Sequence, residues 1–118
     1  MSSKTRPVVG IMVIVIGLVH TVMGLVIWLS DETATATSAE HVWFTAFGVI
    51  AIGLGIAIVE LERSRGFVPP AVLAAIVAVM LYGVILVGPA SGFVSLLIPI
   101  GFGVYGWLRR RHRLARAA

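Results

Sequence analysis

Long apolar runs alternate with short polar segments along the chain, and this alternation is its main pattern. A helix needs roughly 20 apolar residues to cross a hydrocarbon core about 30 Å thick. The runs are apolar on all sides rather than on one face, which is typical of helices in lipid. Since lipid offers backbone groups no partners, the pattern predicts an all-α bundle of four transmembrane helices. The predicted helices cover residues 8–29, 42–61, 70–87 and 93–108 of one membrane domain, followed by a basic tail at 109–118.

Composition supports lipid as the surrounding solvent. The 118 residues are 59% hydrophobic and only 12% charged, whereas soluble domains carry about 25% charged residues. The mean hydropathy is +1.07, and a chain this short has a large surface relative to its volume. We therefore expect the lipid bilayer to cover much of the surface. The chain has no cysteine, which excludes disulfides and thiolate chemistry.

The basic residues are distributed unevenly between the two sides of the predicted bundle. All nine Lys and Arg residues fall in the N-terminal segment, the second connection or the C-terminal tail, which four spans place on one side. The first connection is acidic and the third is uncharged. The positive-inside rule therefore predicts cytoplasmic termini in a multi-pass protein of the bacterial plasma membrane. The expected membrane-interface anchors are Trp28, Trp43, Trp107, Arg109, Arg110 and Arg111.

The N-terminal apolar run could also be interpreted as a cleaved signal peptide, because Lys4 and Arg6 precede it and the small-residue stretch "TATATSA" follows it. Its apolar part is about 22 residues long, whereas the apolar region of a signal peptide has roughly 7–15. The length therefore favours a transmembrane helix.

Glycines recur every seven residues in the first helix, at Gly10, Gly17 and Gly24, and Gly48 and Gly55 repeat the spacing in the second. Residues seven apart drift only about 20° around a helix, so they share a face. Small residues let neighbouring helices approach closely in lipid, so we expect these glycines to pack helices together. In the fourth helix, Pro99 predicts a kink that either adjusts the helix shape or opens a cavity.

His20 is the only titratable residue of the first helix and lies near the middle of the membrane. It shares the glycine flank with Thr21, so we expect it to point inward. Desolvation favours its neutral ring, which has one donor and one acceptor. Two interpretations stay open: a structural hydrogen bond, with Tyr82 of the third helix as a partner of suitable depth, or a ligand site formed by His20, Thr21 and Tyr82.

The other titratable residues favour structural roles. We interpret His41 as a solvated residue at the outer boundary, and Glu60 and Glu62 as interfacial ion-pair partners of Arg63 and Arg65. The depths of His20 and His41 differ by more than about 10 Å, so they should not share a metal or haem. No catalytic, nucleotide or metal motif is present, and we predict neither a catalytic residue nor a cofactor. The basic tail predicts anchoring at the membrane surface rather than nucleic-acid binding.

The motifs "GLVHTVMGL", "VWFTAFGVIAIGLG" and "GPASGFVSLLIPIGFGVYG" resemble a family of small actinobacterial four-helix membrane proteins of unknown function. The resemblance covers almost the whole chain and implies a four-span bundle without an established activity. It also implies that His20 belongs to the first-helix pattern of the family, and Ser91, Gly92 and Phe93 to its last-loop pattern. The architecture is loosely similar to DoxX-like membrane proteins, but no motif carries their redox role to this chain.

Three functions are compatible with this sequence. The first is an accessory bundle that packs against itself or a larger membrane complex through its glycine faces, or that holds a lipid-like molecule near His20. The second is a small-molecule transporter, although small multidrug exporters place a carboxylate in the first helix and this chain has none there. The third is a membrane enzyme acting on an isoprenoid or quinone, with His20 as acid–base and Tyr82 as helper.

Overall fold

The computed structural model describes residues 6–35 and 38–118. Across this part of the chain the fold is all-helical and has no strand. The elements are α1 (Val8–Ser30), α2 (Ala39–Arg65), α3 (Pro70–Val87), a 3₁₀ helix η1 (Gly92–Leu96) and α4 (Leu97–Ala117). With η1 counted as the start of the last span, four helices are long and apolar enough to cross a membrane. The prediction of an all-α chain with four membrane-length helices is confirmed.

Glycine and proline set the ends of the inner helices. The left-handed Gly66, with φ 76°, ends α2 and donates its N–H to the carbonyl of Glu62 at 2.8 Å. Pro70 occupies the first turn of α3, where its missing N–H costs nothing. Gly88, with φ 111°, ends α3. Only glycine adopts these two backbone conformations without strain.

Two helices run beyond the predicted boundaries. Helix α2 begins at Ala39 and ends at Arg65, so it includes polar residues at both ends of the apolar run. Helix α4 continues through the basic segment to Ala117, whereas the sequence interpretation treated residues 109–118 as a tail. Arginine, leucine and alanine are good helix formers and no glycine or proline interrupts them, so the helix has no local reason to stop. Pro99 lies buried in the first turn of α4, and the irregular backbone precedes it in η1.

The helices are arranged in the spatial order α2, α1, α4, α3. Helix α1 packs on α2 on one side and on α4 on the other, and α3 packs on α4 and η1. In the described residues α2 has no backbone approach within 8 Å to α3 or α4, although the short turn after Arg65 joins it to α3. The Cα atoms extend over 63 × 31 × 17 Å. The bundle is therefore an open layer, and most of its apolar side chains face outward, as a lipid-covered protein requires.

Glycines form the contact between α1 and α2. A Cβ on Gly17 would lie 2.8 Å from the carbonyl oxygen of Gly48, and a Cβ on Gly55 would lie 2.9 Å from the carbonyl oxygen of Gly10. Gly24 faces the ring of Phe44 in the same way. The backbones thus approach more closely than any side chain would allow, which gains van der Waals contact where lipid supplies no hydrophobic drive.

The buried side chains lie mainly at the end of the layer that carries both termini. Val13, Ile58, Val68 and Ile76 have at most 2% of their surface exposed. They form one cluster together with Val9, Leu73 and Leu96. This cluster holds α1, α2, α3 and η1 together between the termini and His20. The half of the molecule with the α1–α2 connection therefore depends mainly on the α1–α2 contact.

Candidate functional site

His20 lies near the middle of α1, half-buried between two aromatic rings of α2. Its imidazole stacks on Phe44 with ring centroids 4.0 Å apart and an interplanar angle of 19°. Phe47 meets the same imidazole edge-on, with centroids 5.1 Å apart. Phe44 and Phe47 are three residues apart, so one face of α2 presents both rings to His20.

The aromatic cluster extends from α2 to α3 through Phe93 of η1. The rings of Phe47 and Phe93 have centroids 4.8 Å apart. Phe93 in turn lies directly on Gly83 of α3, where any side chain would overlap the ring. We call His20, Phe44, Phe47 and Phe93 the aromatic cluster. It joins α1, α2, η1 and α3 although α3 makes no direct backbone approach to α1 or α2 in the described residues.

One ring nitrogen of His20 lies close to Gly92, which has no side chain. Nδ1 of His20 lies 4.0 Å from the point that a Cβ on Gly92 would occupy, and apart from Gly92 and its neighbours Ser91 and Phe93 no other side chain comes within 4 Å of that point. Gly92 is exposed at the start of η1. The missing side chain of Gly92 therefore leaves space close to a polar ring nitrogen near the middle of α1.

The structure does not bring the other two candidate ligand residues to this gap. Thr21 donates its hydroxyl to the carbonyl of Gly17 at 2.8 Å and packs against Gly48, so it belongs to the helix contact. Tyr82 has 67% of its surface exposed on α3, and it makes no hydrogen bond to any described part of the chain. Its neighbour Gly83, rather than Tyr82, faces the aromatic cluster.

Sequence reasoning missed the aromatic cluster and the role of Glu62. The three-residue spacing of Phe44 and Phe47 was a usable signal, but only the tertiary structure brings Phe93 to them. Glu62 was expected in an interfacial ion pair, and only Glu60 forms one, with Arg63 at 3.3 Å. Glu62 is instead buried, with 7% of its surface exposed.

Glu62 caps the start of α1. Its Oε1 accepts a hydrogen bond from the N–H of Val9 at 3.1 Å, and its Oε2 accepts one from the N–H of Gly10 at 2.8 Å. The first N–H groups of a helix have no partner within it, and the helix dipole favours a negative charge there. The carboxylate therefore fixes the end of α2 to the beginning of α1.

The end of α1 and the start of α2 are joined by a polar cluster. Nε2 of His41 lies 3.0 Å from Oδ2 of Asp31, and the imidazole stacks on Trp28 with centroids 5.9 Å apart. The indole N–H of Trp28 donates to the carbonyl of Thr35 at 3.2 Å. Hydrogen bonds from Thr33, followed by that from His41, lower the pKa of Asp31 to about 2. His41 is thus an ordered partner of Asp31 rather than a freely solvated residue.

The remaining predicted anchors lie at the two ends of the layer. Trp43 is exposed at the end with the α1–α2 connection, and the guanidinium of Arg111 lies 5.8 Å from the Trp107 ring centre near the other end. Arg109 and Arg110 line a cleft at that end. Within the described residues no group of three His, Asp or Glu side chains could hold a metal ion.

Comparison with protein families gives a match over most of the chain. A protein family described as a family of unknown function, DUF6463, matches residues 4–110. The chain belongs to this family. The expected membership of an unknown-function family thus holds, while the DUF6463 match says nothing of actinobacteria or of DoxX-like proteins. No curated protein and no solved structure matches the chain.

Proposed function

We propose that this DUF6463 protein is an accessory membrane protein that holds a lipid-like molecule beside His20. The observation that carries the proposal is the space left by Gly92, close to Nδ1 of the His20 imidazole. A polar group in hydrocarbon is costly when it has no hydrogen-bond partner. A hydroxyl or carbonyl group on a lipid-like molecule would supply that partner, and the neighbouring phenyl rings would contact its apolar part.

The shape of the outer half supports access from the bilayer. Helix α1 continues for ten residues beyond His20, to Ser30, which is about 15 Å of helix. Gly92, where η1 begins, lies at the level of His20. On the face of α1 that carries His20, Met23 and Ile27 follow it by three and seven residues and are 45% and 49% exposed. A lipid-like molecule lying against this apolar surface would reach the imidazole without crossing a helix.

An accessory role fits this geometry better than an enzyme does. The enzyme alternative requires Tyr82 within hydrogen-bond reach of His20, and no contact between the two favours it. For a transporter like the small multidrug exporters, a carboxylate in the first helix is needed, and α1 has no Asp or Glu. The partner that we propose for an accessory protein is a second copy or a larger membrane complex, which would pack along the open edges formed by α2 and α3.

Native mass spectrometry of the detergent-purified chain tests the ligand. We expect the wild type to retain a lipid-like adduct that both His20→Phe and Gly92→Leu lose. Phenylalanine keeps the ring stacking but removes the nitrogen, whereas leucine fills the gap. Gly101→Leu is the matched control, because a side chain there meets open space. If both variants keep the adduct, or if the wild type carries none, the ligand site is refuted.

We further propose that both termini face the cytoplasm of a bacterial plasma membrane, because all nine Lys and Arg residues lie toward one side. A fluorescent-protein fusion after Ala118 should be fluorescent, and an alkaline phosphatase fusion at the same position should be inactive. An active phosphatase fusion would reverse the topology.

A further inference from the structure

A basic cleft opens at the end of the layer that carries both termini, on the side opposite the outer loops. Its volume is about 610 Å³, and segments from before α1, the end of α2, the α2–α3 turn and α4 line it. This volume is within the roughly 300–1,000 Å³ of typical small-molecule sites. The basic cleft is separate from His20 and does not rest on the function proposed above.

The cleft contains several positive charges and little negative charge to balance them. Its arginines come from three separate segments, and one carboxylate, Glu62, also lines it. Both oxygens of Glu62 already accept hydrogen bonds from the backbone of α1. Among the described residues, none of these arginines forms a salt bridge. The arginines are Arg6, Arg65, Arg109, Arg110 and Arg113.

The fold holds one of these arginines in place. The guanidinium of Arg110 lies over the ring of Phe67, 4.2 Å from its centre, and donates a hydrogen bond to the carbonyl of Arg65. A guanidinium has five N–H donors in a planar fork, so its remaining donors can pair with a phosphate. Because Arg110 is already ordered, binding an anion would cost it little side-chain entropy.

The apolar part of the cleft indicates what carries the anion. Val9, Phe102 and Tyr105 line it beside the arginines. Val9 and Phe102 belong to the apolar runs of α1 and α4, so this wall continues into the membrane-spanning part of the molecule. A free phosphate ion would leave the apolar wall uncovered, whereas a phospholipid would place its phosphate at the arginines and its glycerol and first methylenes on the wall.

We propose that the basic cleft binds the phosphate head group of an anionic membrane lipid. The charge selects an anionic over a zwitterionic lipid, and the wall selects a lipid over a soluble phosphate ester. The site would fix the depth and orientation of the bundle through one specific lipid in addition to the general attraction of basic residues to a membrane surface.

The test uses the full chain in mild detergent with phosphatidylglycerol or phosphatidylcholine of the same acyl chains, followed by native mass spectrometry. We expect wild type to prefer phosphatidylglycerol. The double variant Arg65→Gln/Arg110→Gln should weaken this binding about tenfold or more, because it removes charge-assisted hydrogen bonds. The matched control Arg63→Gln/Arg111→Gln removes the same charge from the same two helices outside the cleft, and should bind as wild type does.

Three results would overturn the proposal. The first is an equal loss in both double variants, which would mean that net charge alone attracts the lipid. The second is a wild type without preference for phosphatidylglycerol. The third is displacement of the lipid by millimolar glycerol 3-phosphate, which would assign the cleft to a soluble phosphate compound. Should the Arg65/Arg110 variant not fold, Arg109→Gln/Arg113→Gln decides, because neither side chain hydrogen-bonds to another described residue.

Discussion

Replacing Gly48 by alanine should force α1 and α2 apart at their close contact. A Cβ at this position would lie 2.8 Å from the backbone nitrogen of Thr21 and 2.9 Å from the carbonyl oxygen of Gly17. Non-bonded heavy atoms pack best about 3.5–4.0 Å apart, so the helices have to separate by more than about half an ångström. The hydroxyl of Thr21 is also in the way and could rotate aside, but these two backbone atoms cannot.

The cost follows from this overlap. Overpacking typically destabilises by about 1–3 kcal/mol, and the better helix propensity of alanine returns up to about 1 kcal/mol. We therefore expect Gly48→Ala to lower the free energy of unfolding by about 1–2 kcal/mol. Gly53→Ala is the matched control, because it lies on the same helix and its Cβ would meet nothing within 4 Å. It should be neutral or slightly stabilising.

Equilibrium unfolding with sodium dodecyl sulfate in mixed micelles, followed by circular dichroism, measures the difference. The order of stability should be Gly53→Ala at or above wild type, and Gly48→Ala clearly below it. If Gly48→Ala is as stable as Gly53→Ala, the close glycine contact does not hold α1 and α2 together, and the reasoning is wrong.

Three further substitutions test other contacts. Glu62→Gln should lower the free energy of unfolding by about 1–2 kcal/mol, because it removes the charge that caps α1. The control Glu60→Gln changes an exposed residue and should alter the free energy of unfolding by less than about 0.5 kcal/mol. Equal effects of the two substitutions would contradict the cap. Since the pKa of Asp31 is lowered to about 2, the contribution of its carboxylate to folding stability is complete above about pH 4 and is lost as pH falls through about 2. The fluorescence of Trp28 should follow this titration in wild type and not in Asp31→Asn. Gly83→Ala should displace the Phe93 ring and lower thermal stability measured by circular dichroism, and an unchanged melting temperature would show that the ring does not depend on this site.

The number and type of helices could be predicted from the sequence because each apolar run is long and meets a strong physical constraint. Lipid leaves the backbone no alternative to a helix. The seven-residue spacing also predicts that the glycines of each helix share one face, and Gly17 and Gly48 meet between α1 and α2 in the structure. These features depend on local periodicity, which a single chain displays directly.

The candidate site could be predicted only in part, because its other residues come from distant segments. His20 is conspicuous as a lone polar ring, whereas Phe93 resembles any other apolar residue until η1 brings it to Phe47. Glu62 lies two residues from Glu60 and has the same chemistry, but only Glu62 faces α1. The basic segment after Leu108 contains no glycine or proline that would end a helix. Composition alone therefore could not predict whether this segment continues α4 or forms a non-helical tail.

The cap on α1 has a consequence for synthesis. The hydrogen bonds from Val9 and Gly10 to Glu62 join residues 53 and 52 positions apart in the chain. A nascent chain that ends before Glu62 lacks the carboxylate that accepts these two hydrogen bonds. The first span therefore reaches its final, capped state only after Glu62 has been synthesised, which ties the completion of α1 to that of α2.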